Sequence, residues 1–135
     1  MLLAAAQMNP PPEPLAGMLR AEVWNDVRLN AMIGNGNEIA ARWMNYGGPL
    51  ENSLLLHILD LTCRSRGADQ RCRFDLLRDG GAIFIDGRSV VDRISCRATF
   101  RLAGEGRWSI PHLPPGPRGG HSRTTLRCRW APRPR

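Results

Sequence analysis

Lysine is missing altogether: all nineteen basic residues of the 135 are arginine. Such a wholesale exchange is what GC-rich codon usage produces, so the arginine count is in itself no argument for guanidinium chemistry. The chain also lacks any apolar run approaching the ~18 residues of a membrane-spanning helix. It has no C-x-x-C pair. A thioredoxin-like redox site is thereby without its motif, and a zinc site without the knuckle that preorganises two thiolates. Neither G-x-S-x-G nor H-E-x-x-H occurs, which excludes the nucleophile elbow and the zinc-protease helix as local motifs. There is no internal repeat. The last gap is of one charge sign: from Arg107 to Arg135 there are seven arginines and no acid.

That gap belongs to a wider asymmetry. Residues 1–60 carry three arginines and six acids, and residues 61–135 carry sixteen arginines and six acids. Such a distribution marks an anionic partner, or else the solvated face of a sheet followed by a basic tail. The length suits one domain with its own core. Three parts are expected: a signal-like segment and Pro-rich linker over 1–14, a single α+β domain over 15–131, and a frayed basic tail over 132–135. Met1-Leu2-Leu3-Ala4-Ala5-Ala6-Gln7 resembles the end of a secretory apolar region, with Ala4 and Ala6 in the small-x-small cleavage pattern. It has no basic start, so translation is expected to begin upstream and the mature chain near Gln7. Asn9-Pro10-Pro11-Pro12-Glu13-Pro14 reads as extended linker.

What is present, and informative, is four cysteines. If Gly67-Ala68 is a two-residue hairpin loop, facing residues sum to 135 and Cys63 faces Cys72. Glycine at the first loop position suits a type II′ turn. Counting outward from the closing pair, 63:72 is a non-hydrogen-bonded pair, whose Cα atoms approach to about 4.5 Å, within disulfide range. Cys96 and Cys128 lie on the apolar faces of two other strands, which allows their pairing without forcing it, since four cysteines permit three connectivities. Disulfides imply an oxidising compartment, periplasmic or secreted.

The periodicity changes midway. Leu15 to Ile33 favours a helix with Leu15, Met18, Leu19, Val23 and Val27 inward, and Gly34-Asn35-Gly36-Asn37 breaks it. Asn37 is placed to cap a second helix carrying Ile39, Ala40, Trp43 and Met44, which Gly47-Gly48-Pro49 ends. After Pro49 the period is two. Leu55, His57, Leu59, Leu61 and Cys63 share one strand face, with Leu61 opposite Phe74 and Leu59 opposite Leu76 in the 135-sum register. The same register sets Arg64 against Arg71 and Asp60 against Asp75, two like-charge conflicts. Asp79-Gly80-Gly81 is a turn, and Asp86-Gly87 closes a hairpin between 82–85 and 88–91. In the next strand Ile94, Cys96, Ala98, Phe100 and Leu102 face inward and Arg93, Arg97 and Arg101 outward. After Gly104-Glu105-Gly106, Arg107 to Ile110 are extended, and 111–120 form a Pro/Gly-rich loop. In the final strand Leu126, Cys128 and Trp130 alternate with Arg127 and Arg129.

Candidate chemistry is thin. His57, His112 and His121 occur at no recurring metal spacing. Ser53, His57 and Asp60 do not share one strand face. His121-Ser122 has no partner identifiable from sequence, although a dispersed catalytic set is recognised by geometry and not by spacing. Gly34 to Glu38 lacks a phosphate-loop consensus and reads as a helix breaker. The basic loop Gly116 to Arg123 has too few neighbouring aromatics for a single-strand binder. The surviving site candidate is the arginine face: Arg93, Arg97, Arg101, Arg127 and Arg129.

The expected fold is α+β, with one or two N-terminal helices packed on an antiparallel, meander-like sheet of five or six strands and stapled by disulfides. The expected role is a small, non-enzymatic exported domain binding an anionic envelope component or other polyanion, with no cofactor. The alternatives are an intracellular nucleic-acid-binding protein with reduced cysteines, and a secreted hydrolase with a dispersed catalytic set.

Overall fold

A computed structural model describes residues 7–46, 56–78, 83–85, 88–90, 93–117 and 119–131. The signal-like segment, Gly47-Gly48-Pro49, the Asp79 and Asp86 turns and the basic tail lie outside them.

Helix α1 (Leu15–Ile33) buries Ala16, Leu19, Val23 and Val27 at the three- and four-residue spacing of one helical face. Met18, expected on that stripe, is 40% exposed. The stripe runs on instead through Asp26 and Asn30, two polar residues that the core accepts because both are hydrogen-bonded. Gly34, at φ 73°, ends the helix and donates its N–H to the Asn30 carbonyl at 2.8 Å. Asn37 caps α2 (Glu38–Tyr46) by accepting the Ala40 N–H at 3.3 Å. Ala40, Trp43 and Met44 of α2 are fully buried, and the Trp24 and Trp43 rings stack with centroids 6.5 Å apart.

The main sheet is antiparallel. Strands β1 (Leu56–Arg66) and β2 (Asp69–Arg78) form a hairpin, with Gly67 at φ 61° in its two-residue loop. Strands β3 (Ile83–Ile85) and β4 (Arg88–Val90) pair with each other in a separate two-stranded sheet. Strand β5 (Arg93–Ala103) returns to β2. Its far edge is shared by β6 (Arg107–Ser109) near one end and β9 (Arg127–Trp130) near the other. Between them, the Pro/Gly-rich segment contributes β7 (His112–Leu113), paired with β8 (Arg123–Thr124). On the outer edge of β1, Asn9 makes an isolated bridge to Cys63, which ties the Pro-rich linker to the sheet.

The 135-sum register holds from Arg66:Asp69 to Thr62:Arg73 and then slips, so that Leu59 faces Asp75 and Ile58 faces Leu76. This corrects the expected Leu61:Phe74 and Leu59:Leu76 pairs. One extra residue enters β1 as a bulge, with Asp60 at φ 56°. The slip reverses the alternation upstream of it. Leu56 and Ile58, rather than Leu59, accompany Leu61 and Cys63 against the core, and Leu55 lies outside the described residues. It also removes the Asp60:Asp75 opposition. Both carboxylates bind Arg93, Asp75 from Nε at 2.6 Å and Asp60 from Nη2 at 3.0 Å.

The core lies between the helices and the inner sheet face, where Phe74, Leu76, Ile94 and Phe100 are buried to 2% exposure or less. Each such side chain contributes about 1.5–3 kcal/mol relative to exposure. Leu102, expected among them, is 47% exposed. Arg78 enters the same layer. Its guanidinium donates to the Trp43 and Met44 carbonyls at 3.1 and 3.0 Å and lies 5.2 Å from the Trp43 ring centroid. It thus caps the last turn of α2. Burial pushes its pKa below the ordinary guanidinium value.

Candidate anion-binding face

Every cysteine sits in an alternating stretch with arginine beside it: Thr62-Cys63-Arg64, Arg71-Cys72-Arg73, Ser95-Cys96-Arg97 and Arg127-Cys128-Arg129. On a strand, side chains one residue apart point to opposite faces. The cysteines face the core, and the arginines face outward. Cys63 is bonded to Cys72 and Cys96 to Cys128, each pair directly opposed across a ladder with Cα atoms 4.1 Å apart. These bonds lock the register of β1 to β2 and of β5 to β9.

Locked this way, the outer face carries a row that crosses four strands: Thr62, Arg73, Arg97 and Arg127, each directly opposite the next. The adjoining rows are Arg64, Arg71 and Thr99, and Asp75, Ser95 and Arg129. Like charges placed directly opposite are destabilising. Here Arg97 has one on each side. The face holds two shallow grooves. One, of about 450 Å³, is lined by Arg64, Arg71, Arg73, Arg97, Thr99 and Thr125. The other, of about 540 Å³, is lined by Arg73, Asp75, Ser95, Arg97, Arg127 and Arg129. Arg73 and Arg97 belong to both.

The five sequence candidates are not equivalent. Arg93 is engaged by Asp75 and Asp60, and the Asp75 hydrogen bond raises its pKa further above the ordinary guanidinium value. Arg101 lies toward the other end of β5, 3.8 Å from Asp69. Arg127 donates from Nη1 to the Thr124 and Leu126 carbonyls at 2.7 and 3.0 Å, which holds it in the row. The guanidiniums of Arg97 and Arg129 make no hydrogen bond or ion pair with any described residue, and the same is true of Arg64, Arg71 and Arg73. The last three are missing from the sequence-based set. Their signal was the repeated arginine–cysteine alternation, read there for the cysteines alone.

A second polar constellation joins α1 to the β7–β8 pair. The Asp26 carboxylate, in a side chain only 5% exposed, accepts from His112 Nε2 at 2.6 Å and from the Thr124 hydroxyl at 2.7 Å. His112 Nδ1 lies 3.1 Å from Ser122 Oγ. Asn30, Asn35 and Asn37 form a buried network beside it, which turns α1 into α2 and meets Thr124 through the Asn35 carbonyl at 2.7 Å. No local motif announced these contacts, since Asp26 and His112 are 86 residues apart. His57 lies on β1 opposite Leu77, away from this set, and His121 is exposed. All four thiols are consumed in disulfides, and no group of three or more potential metal ligands occurs among the described residues. No described helix is long and apolar enough to cross a membrane.

No family model, no curated protein and no solved structure matches this chain.

Proposed function

We propose that this chain is a small exported domain, periplasmic or secreted, which binds a linear polyanion or anionic envelope surface through the arginine lattice of its outer sheet face. One observation carries the reading: Arg73, Arg97 and Arg127 stand directly opposite one another on three strands, with Arg71 and Arg129 beside them. Strands lie about 4.8 Å apart and alternate residues about 7 Å along each strand. Charges in that array repel, and an anionic polymer laid across it relieves the repulsion at several guanidiniums together. The disulfides support the exported setting, because such bonds persist in oxidising compartments. The bonding of all four cysteines favours this reading over an intracellular nucleic-acid binder with reduced cysteines.

Heparin is a suitable probe. Titrated over a series of salt concentrations, the oxidised protein is expected to bind with an affinity that falls steeply as salt rises. The variant Arg71→Ser, Arg73→Ser, Arg97→Ser, Arg129→Ser should bind roughly 100-fold more weakly at low salt. Its log–log salt slope should be smaller by about 3, by analogy with counterion release from nucleic acids. A variant with a native melting curve and unchanged affinity would remove this face as the site.

A further inference from the structure

We propose that Ser122 is a nucleophile for acyl transfer, with His112 as its general base, Asp26 as the positioning residue that orients the imidazole, and short, unhindered carboxylic esters as the substrate class. The three side chains form an unbroken chain of contacts, 2.6 Å from Asp26 Oδ1 to His112 Nε2 and 3.1 Å from His112 Nδ1 to Ser122 Oγ. A nucleophile within hydrogen-bond reach of a base, itself oriented by a third group, is the geometry that activates a serine hydroxyl.

The fold builds this arrangement from three elements. Asp26 comes from the buried face of α1, where Thr124 satisfies its second oxygen. With both oxygens accepting, the carboxylate fixes His112 as the tautomer protonated at Nε2 and leaves the Nδ1 lone pair toward Ser122. Antiparallel pairing sets His112 opposite Thr124. Ser122, two residues before Thr124, falls on the same side of the ribbon as both. Its hydroxyl belongs to an exposed residue, whereas Thr124 is fully buried. A strut between helix and ribbon is complete with Asp26, His112 and Thr124, and the contact to an exposed serine adds nothing to it.

The chain enters Ser122 through Gly119 and Gly120, at φ 79° and 97°. The backbone N–H groups of Gly120, His121 and Ser122 make no hydrogen bond with described residues, so donors for a developing oxyanion are at hand in the same loop. In the reaction, Ser122 Oγ attacks the ester carbonyl carbon as its proton passes to His112 Nδ1. The C–O bond to the alcohol breaks, and that oxygen takes the proton from Nδ1, leaving acyl-Ser122 and free alcohol. Water then attacks the acyl carbon and gives a proton to Nδ1, which returns it to Oγ as the carboxylic acid departs. The sum is ester plus water to acid plus alcohol. Because Ser122 is exposed, the preference is for a small acyl group that needs no deep pocket.

The test is covalent labelling of the full-length oxidised chain with a fluorophosphonate, read by peptide mass, beside hydrolysis of p-nitrophenyl acetate. A single adduct on Ser122 is expected. Ser122→Ala, an exposed change, should keep the melting curve while losing the adduct and the hydrolysis above solvent background. His112→Gln keeps hydrogen-bonding capacity without the base, and should slow hydrolysis by about 100-fold or more. Absence of an adduct at Ser122, or equal hydrolysis by the wild type and Ser122→Ala, overturns the proposal. If His112→Gln does not fold, the Ser122→Ala comparison decides alone.

Discussion

Arg97 is the residue on which the two demands of this protein meet. Arg73 lies directly opposite it on one side and Arg127 on the other, and its guanidinium has no counter-charge among the described residues. A position chosen for stability alone would not hold a third arginine there, because opposed like charges cost about 0.2–1 kcal/mol per pair. Arg97→Thr, which keeps β propensity, is therefore expected to stabilise the free protein by about 0.5–1 kcal/mol. In urea melts the gain should shrink as salt rises, since screening already weakens the repulsion in the wild type. The same substitution should weaken heparin binding. A variant that is less stable than the wild type at low salt would contradict the repulsion on which the lattice argument rests. Arg93 is the contrasting case: on the same face, it is bound by two carboxylates.

At the scale of elements, the bulge in β1 decides which side chains reach the core. An unbroken β1 would oppose Asp60 to Asp75, whereas one extra residue turns both carboxylates onto Arg93 and brings Leu56 and Ile58 inward. Deleting Asp60 should then leave every other pair of the ladder in place, since Leu59 already faces Asp75 and Thr62 already faces Arg73. Only an exposed ion pair is lost, and the expected stability change is within about 1 kcal/mol. Loss of the Cys63–Cys72 bond in that variant, seen by mass spectrometry, would show that the bulge itself is required for the register. The helices, the hairpin turn and the inward alternation of β5 were legible in the sequence because each depends on contacts a few residues apart. The bulge was not, because Arg93, which binds Asp60, lies 33 residues away. His112 and Ser122 were both weighed from sequence but not joined, for the same reason: proline and glycine concealed a two-residue strand whose partner on α1 is remote in sequence.

Over the whole molecule, the two disulfides stand on either side of the β2–β5 pair, one fastening β1 and the other β9. Chain-entropy arguments give about 2.7 kcal/mol for a closed loop of about ten residues and about 3.7 kcal/mol for one of about thirty-three. Together these rival the net stability of a small domain. Their structural effect is as large. A shift of one residue on any strand would send its arginines to the core and its cysteines to solvent, so the bonds that fix the register also fix the arginine rows. The account therefore stands or falls on the connectivity of the four cysteines. The most direct measurement is intact mass before and after reduction under denaturing alkylation, with a non-reducing peptide map. The predicted result is no free thiol, a gain of four hydrogens on reduction of the two bonds, and linked peptides joining Cys63 to Cys72 and Cys96 to Cys128. Alkylation of all four cysteines without reduction, or peptides that join Cys63 or Cys72 to Cys96 or Cys128, would contradict it.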